Sequence, residues 1–296
     1  MNPKGVVNVK RMKGVARLIA DLDKWVVRPI NRELLLEQST RMLHGYLSGK
    51  LNSPHAHLSG LATWHGHVGA HHVLRGYPSG WGDIAKSHLY LAWNERTSMA
   101  RLDRRVAKSV MIDRSVFVLL HAIGVREDVI ATWFGERLVA GLRSRSEKLT
   151  GWASAPLYPF AMHLYAKWKH LPPECYPGDE YPLGGYRDLL DAWDSEDEFA
   201  ARLADACDYH VAQAFDDSED DTQDFFAPLY DLFPVEILAI RRIRREQGLL
   251  MPAIDHPLLQ TPLASPPVPT PTPDDELLRS VSAKVCEEYG LGDPWA

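Results

Sequence analysis

Histidine is the residue type that most invites a chemical reading of this chain. Eight of its 13 histidines, His44, His55, His57, His65, His67, His71, His72 and His88, fall between residues 44 and 88. His67 and His71 are four apart, which puts them on one face of a helix. Neutral imidazoles on one face are ligands for zinc, copper or nickel. Against that, no Asp or Glu lies between His44 and Asp83, and the pattern H-E-x-x-H is absent. The same stretch carries Gly60, Ala62, Gly66, Gly69 and Ala70, the composition of closely packed helices, so structural histidines are expected and no bound metal or cofactor. The three cysteines, Cys175, Cys207 and Cys286, are far apart and form no C-x-x-C, which reads as free thiols in a reducing compartment. Cys175, between Pro173 and Pro177, is the one thiol placed to be checked for a histidine partner. No P-loop, no G-x-G-x-x-G after a strand and no G-x-S-x-G elbow occurs. No catalytic residue is assigned.

Charge carries a stronger signal. From Asp188 to Asp224 there are fourteen acids and a single cation, Arg202. That segment carries −13, so with a total of −6 the remainder of the chain carries +7. The pattern Ser195-Glu196-Asp197-Glu198 is a capping box, which accounts for some of these acids. Asp216-Asp217-Ser218-Glu219-Asp220-Asp221 lacks the Gly and the spacing of a calcium loop. The remaining reading is an acidic face that binds a basic partner, since concentrated charge speeds encounter with an opposite patch. The candidate partner-binding residues are Asp194, Glu198, Asp205, Asp208, Asp216, Asp217, Glu219, Asp220, Asp221 and Asp224. Phosphates would be repelled from this face, so nucleic acid is not an expected partner. Trp193, Phe199, Tyr209, Phe215, Phe225, Phe226 and Tyr230 lie beside the acids as possible interface anchors, if exposed.

The elements that must position these residues are helical. Leu18, Leu22, Trp25 and Val26 repeat at three and four, and Pro29 breaks the pattern. A second helix is expected from Asn31 to Ser48, with Asn31 as its N-cap, Gly49 as its C-cap, and Leu34, Leu35, Met42 and Leu43 inward. Further helices read near 56–75, 82–98, 100–123 and 126–143, with Asp83 capping one start and Gly124 supplying the last break. After Gly151 aromatics and prolines thicken, and helices resume near 156–170, 185–193, 196–214 and 234–247. No hairpin signal and no sustained alternation appears. The expected fold is therefore all-α, a multi-helix array or two packed helical parts, 1–150 and 151–251. A Pro-rich arm follows over 252–273, with eight prolines in 22 residues. A terminal helix is expected within 274–296. Leu258, Leu259 and Leu263 predict that the first half of the arm packs on the helices, while 266–273 stays looser. Truncation after Pro273 is expected to be tolerated.

The chain has 296 residues, 45% hydrophobic and 24% charged, which excludes wholesale disorder. Nothing approaches 18 consecutive apolar residues and the N-terminus does not read as a signal peptide, so no membrane partner and a cytoplasmic location are expected. A shared helical face leaves a homodimer possible.

The stretch DFFAPLYDLFPVEILAIRRIRREQGL, followed by IDHPLLQTPLA, resembles the ending of helical immunity proteins of bacterial polymorphic and type VI secreted toxins. The resemblance covers about residues 150–265 and is nearest to the immunity family paired with PoNe-type DNase toxins. Leu232-Phe233-Pro234 stands here where that family usually carries an aromatic Tyr-Trp entry. The resemblance implies a non-enzymatic protein that binds and blocks a cognate toxin with a basic surface, a nuclease being the favoured type. Two alternatives stand beside it: a helical metalloenzyme built on the His44–His88 cluster, and a scaffold or adaptor using PPVPTPTP as its ligand segment.

Overall fold

A computed structural model describes residues 3–103, 112–143, 155–214, 224–225, 229–270, 273–293 and 295. It is all-α, with no strand among the described residues. The helices are α1 (Pro3–Val26), α2 (Pro29–Asn31), α3 (Ser39–Leu47), α4 (His55–Leu74), α5 (Gly80–Asp103), α6 (Ile112–Val125) and α7 (Asp128–Arg143). They continue with α8 (Leu157–Trp168), α9 (Tyr186–Asp191), α10 (Glu196–Gln213), α11 (Val235–Glu246), α12 (Pro257–Gln260) and α13 (Glu276–Tyr289). Short 3₁₀ turns lie at Pro173–Cys175 and Pro262–Ala264.

The core does not divide near residue 150. One cluster of buried side chains runs from Val15 on α1 to Val285 on α13. At its centre α6, with Val116, Phe117, Leu119, Leu120 and Ile123 fully buried, packs on α11. Gly124 does not break a helix, as its type suggested. It sits inside α6, where an added Cβ would meet Leu238 Cβ at 2.8 Å, so its missing side chain sets the α6–α11 approach. The break comes instead at Arg126, with φ of +68°.

α11 is buried nearly all round, including Arg242 and Arg244. The Arg244 guanidinium is fully buried. It donates to the carbonyls of Trp193 and Leu250 and lies 3.7 Å over the Phe199 ring. Arg242 donates to Ile123 O at 3.0 Å, pairs with Asp128 and Glu246, both at 2.7 Å, and lies over Trp168. Arg241 donates to Ala264 O at 2.8 Å. One helix thereby holds the α6–α7 corner, the α9–α10 turn and two points of the arm.

The first corner differs from expectation. Asn31 is already helical, and its Nδ2 donates to Trp25 O at 2.8 Å, closing the end of α1. Between α2 and α3 the backbone winds as a π-helix over Arg32–Gln38. Its wider turn shifts the inward face, so Leu34 is exposed while Leu36 packs on the core. At the start of α10 the local signal holds. Ser195 accepts the Glu198 N–H at 3.4 Å as the N-cap of α10. Asp83 is not a cap and lies in the first turn of α5.

In the arm, His256, Leu258, Leu263 and Ala264 are fully buried, and Val268 is half exposed. The terminal helix is no appendage. Leu278, Val281 and Val285 are buried, Tyr46 donates to Glu288 at 2.7 Å, and Tyr90 donates to Asp275 at 3.1 Å. Beyond α13, Trp295 joins Trp93 and Trp133 around the Arg96 guanidinium, at 4.8–5.5 Å from the three rings. The expectation that truncation after Pro273 is tolerated is therefore corrected. Three buried side chains contribute about 1.5–3 kcal/mol each, and Tyr90 and Arg96 would lose partners.

Two outcomes test this packing. A chain ending at Pro273 should melt well below the full chain in a thermal unfolding scan. Arg244→Ala strands the buried Trp193 carbonyl at about 1–3 kcal/mol and removes the bonds to the more accessible Leu250 carbonyl, so denaturant unfolding should show a loss of at least about 1–3 kcal/mol. Arg245→Ala, at an exposed neighbour, should stay within about 0.5 kcal/mol of wild type.

Candidate functional site

The acidic face is built on α9, the turn after it, and the first half of α10. Phe199, Leu203, Ala206, Cys207, His210 and Val211 anchor α10 to the core. The opposite side carries Asp197, Glu198 and Asp205, all exposed, and Asp188, Asp191, Asp194 and Glu196 extend it. Glu196, Asp197 and Glu198 occupy the first turn of α10, where the helix dipole favours negative charge. Arg202 pairs with Asp188 at 3.5 Å and with Asp205 at 3.2 Å. Asp194 sends its field toward Lys167 and Arg244. Among the described residues, no cation lies within ion-pair distance of Asp191, Asp194, Glu196, Asp197 or Glu198.

Two of the expected face residues belong elsewhere. Asp224 is buried, and its Oδ2 accepts the Tyr209 hydroxyl at 2.6 Å and the Leu157 N–H at 3.1 Å. Burial pushes its carboxyl above the usual carboxylate range. It ties the start of α8 to α10 and cannot meet a partner. Asp208 is half-buried at 3.2 Å from His256 Nε2. His256 Nδ1 accepts the Leu258 N–H, so the Nε2–H donates to Asp208 and pins the arm. Asp216, Asp217, Glu219, Asp220 and Asp221 lie outside the described residues.

The aromatic anchors are corrected as well. Trp193, Phe199, Phe225 and Tyr230 are buried and Tyr209 is half-buried, while Phe215 and Phe226 lie outside the described residues. The described part of the face thus offers charge without large exposed rings.

The histidines find separate partners. His65 Nδ1 lies 2.9 Å from Asp83, with His72 at 3.8 Å from the same carboxylate. His71 lies 3.3 Å from Asp23, which also accepts from Arg75. His88 lies 2.8 Å from Glu127 and stacks on His121. His67 stacks on Trp25 with ring centres 3.5 Å apart, and its Nδ1–H donates to Thr63 O. Among the described residues, no group of three or more His, Cys, Asp or Glu is arranged to hold a metal ion. The missing acids came from α1, α5 and the α6–α7 turn, beyond the reach of any spacing rule.

Two sites escaped sequence reasoning. His210 Nδ1 lies 2.8 Å from Glu236, both fully buried, between α10 and α11. Glu236 had no local signal, because acids in a first helical turn are ordinarily solvated. The second is a cleft of about 750 Å³ between α7, α8 and the 3₁₀ turn. Cys175 lines it, and its Sγ accepts from Arg143 Nη2 at 2.7 Å, not from a histidine. Lys169 and Glu136 also line it.

Burial of His67 predicts an acid sensitivity. Burial holds its imidazole down at about 4 from an ordinary 6.5. Below pH 6.5 the unfolded chain takes up this proton and the folded chain does not. Its contribution is therefore present above pH 6.5 and lost as pH falls toward 4. His67→Phe, which keeps a ring against Trp25, should flatten stability against pH between 4.5 and 6 by about 1.4 kcal/mol per pH unit. Denaturant titrations at several pH values measure that slope.

No protein-family model, curated protein or solved structure matches this chain, so the reading of its function rests on the geometry above.

Proposed function

We propose that this protein is a non-catalytic immunity protein that binds and neutralises a cognate secreted bacterial toxin through the acidic face of α9 and α10. One observation carries the reading: five exposed carboxylates between Asp191 and Glu198 stand on a capped helix end without ion-pair partners among the described residues. A solvated surface ordinarily mixes signs. A rigid, single-sign patch raises the rate of encounter with an opposite patch. The partner is a protein with a basic surface, and a nuclease, whose active cleft must attract phosphates, fits that chemistry. With the described aromatics buried, the face acts mainly through steering and charge matching. No helix among the described residues is long and apolar enough to cross a membrane. The segment an adaptor would use, PPVPTPTP, lies beyond the buried first half of the arm, with Val268 and Pro269 exposed.

The test uses the toxin domain encoded beside this chain, with wild type and an Asp194→Lys, Asp197→Lys, Glu198→Lys variant. The variant should associate at least about tenfold more slowly at low salt. The difference should shrink toward 1 M salt, where screening falls to about 3 Å. Wild type should protect cells that express the toxin. An unchanged association rate, or no protection by wild type, overturns the proposal.

A further inference from the structure

We propose that the cleft between α7 and α8 binds a small amphipathic anion, an aryl or alkyl carboxylate, in a role separate from the acidic face. Its charged end lies between Arg143 and Lys169, and its apolar end lies on Val139, Ala140, Leu171 and Pro172. The volume, about 750 Å³, falls within the range of small-molecule sites, which pair a mostly apolar wall with a few fixed polar groups.

The wall is rigid by construction. Gly135 lets the Tyr165 ring lie directly on the α7 backbone, since a Cβ there would sit 2.0 Å from the ring. The Tyr165 hydroxyl then donates to Thr132 O at 3.4 Å. The cations are placed separately. Arg143 is tethered through one N–H to Cys175 Sγ, and a guanidinium has five such donors. Lys169 stands 3.9 Å over the Trp168 ring, at the end of α8. Among the described residues, no carboxylate lies within 4.0 Å of either cation, Glu136 in the same cleft included. Two positive charges against one negative leave a charge for the ligand to match.

The combination selects the ligand class. A neutral hydrocarbon would cover the apolar wall and desolvate the cations without pairing them. Free phosphate would pair them and leave the wall wet. A carboxylate with an apolar body does both, and its charge-assisted hydrogen bonds strengthen in the less polar cleft.

The probe is 8-anilinonaphthalene-1-sulfonate, an aromatic anion, titrated by fluorescence into the full chain. Saturable one-to-one binding is expected, displaced by dodecanoate and much less by dodecanol. The Arg143→Ala, Lys169→Ala variant should weaken binding at least tenfold. Ala140→Trp, at an exposed position lining the cleft, should abolish it, with thermal melting confirming that each variant folds. The charge-reversed α10 variant should bind the probe like wild type, which separates this site from the acidic face. Absence of saturable binding, unchanged binding in both cleft variants, or equal displacement by dodecanol overturns the proposal.

Discussion

The Arg244 side chain is the constraint on which much of the packing turns. A guanidinium stays charged at any pH a protein meets, so burying one requires acceptors on every side. Here the acceptors are backbone carbonyls at Trp193 and Leu250, and Phe199 closes one face. The turn between α9 and α10, the start of the arm, and α11 are therefore fixed by one group. Arg242 does the same for the α6–α7 corner and for Trp168 on α8. The α9–α10 turn, in the middle of the acidic face, is thereby anchored to a buried cation behind it.

Features that depend on a few neighbouring residues were legible in the sequence. The Ser195 cap, the break at Pro29 and the buried Leu258 and Leu263 of the arm all stand where residue type and spacing put them. The terminal helix was expected, and the burial of Leu278, Val281 and Val285 overturns the expectation that the chain beyond Pro273 is dispensable. What could not be read depends on distant partners. Asp224 reads as one more surface acid until Tyr209 and Leu157 enclose it. Glu236 reads as a helix-dipole acid until His210 meets it. The π-helical winding before α3 shifts a helix face by a fraction of a turn, and no local residue announces it.

The histidine-rich stretch shows why residue density is a poor guide to chemistry. A ligand set needs several donors converging on one point. Here α1, α5 and the α6–α7 turn each supply a separate carboxylate, so His71, His65 and His88 are drawn to three different partners. His67 has none and stacks on Trp25 instead. Each imidazole fills an amphipathic position where helices approach closely, and the glycines and alanines between them permit that approach.

Charge bookkeeping along the chain also changes once burial is known. The +7 outside the acidic segment suggests a basic body beneath an acidic face. Yet Arg96, Arg242 and Arg244 spend their charge inside, on carbonyls, carboxylates and aromatic faces. Arg242 is compensated by Asp128 and Glu246, while the field of Arg244 acts on Asp194 and Glu196 at the edge of the acidic face. Within the acidic segment, Asp224 and Asp208 are likewise absorbed by Tyr209 and His256. The exposed acids of the described surface form a smaller and more concentrated patch, from Asp191 to Asp205, with Ser195 and Arg244 behind it. Under the proposed function, such a patch would discriminate among basic partners by the placement of its carboxylates on α9, the turn and α10 as well as by their sign.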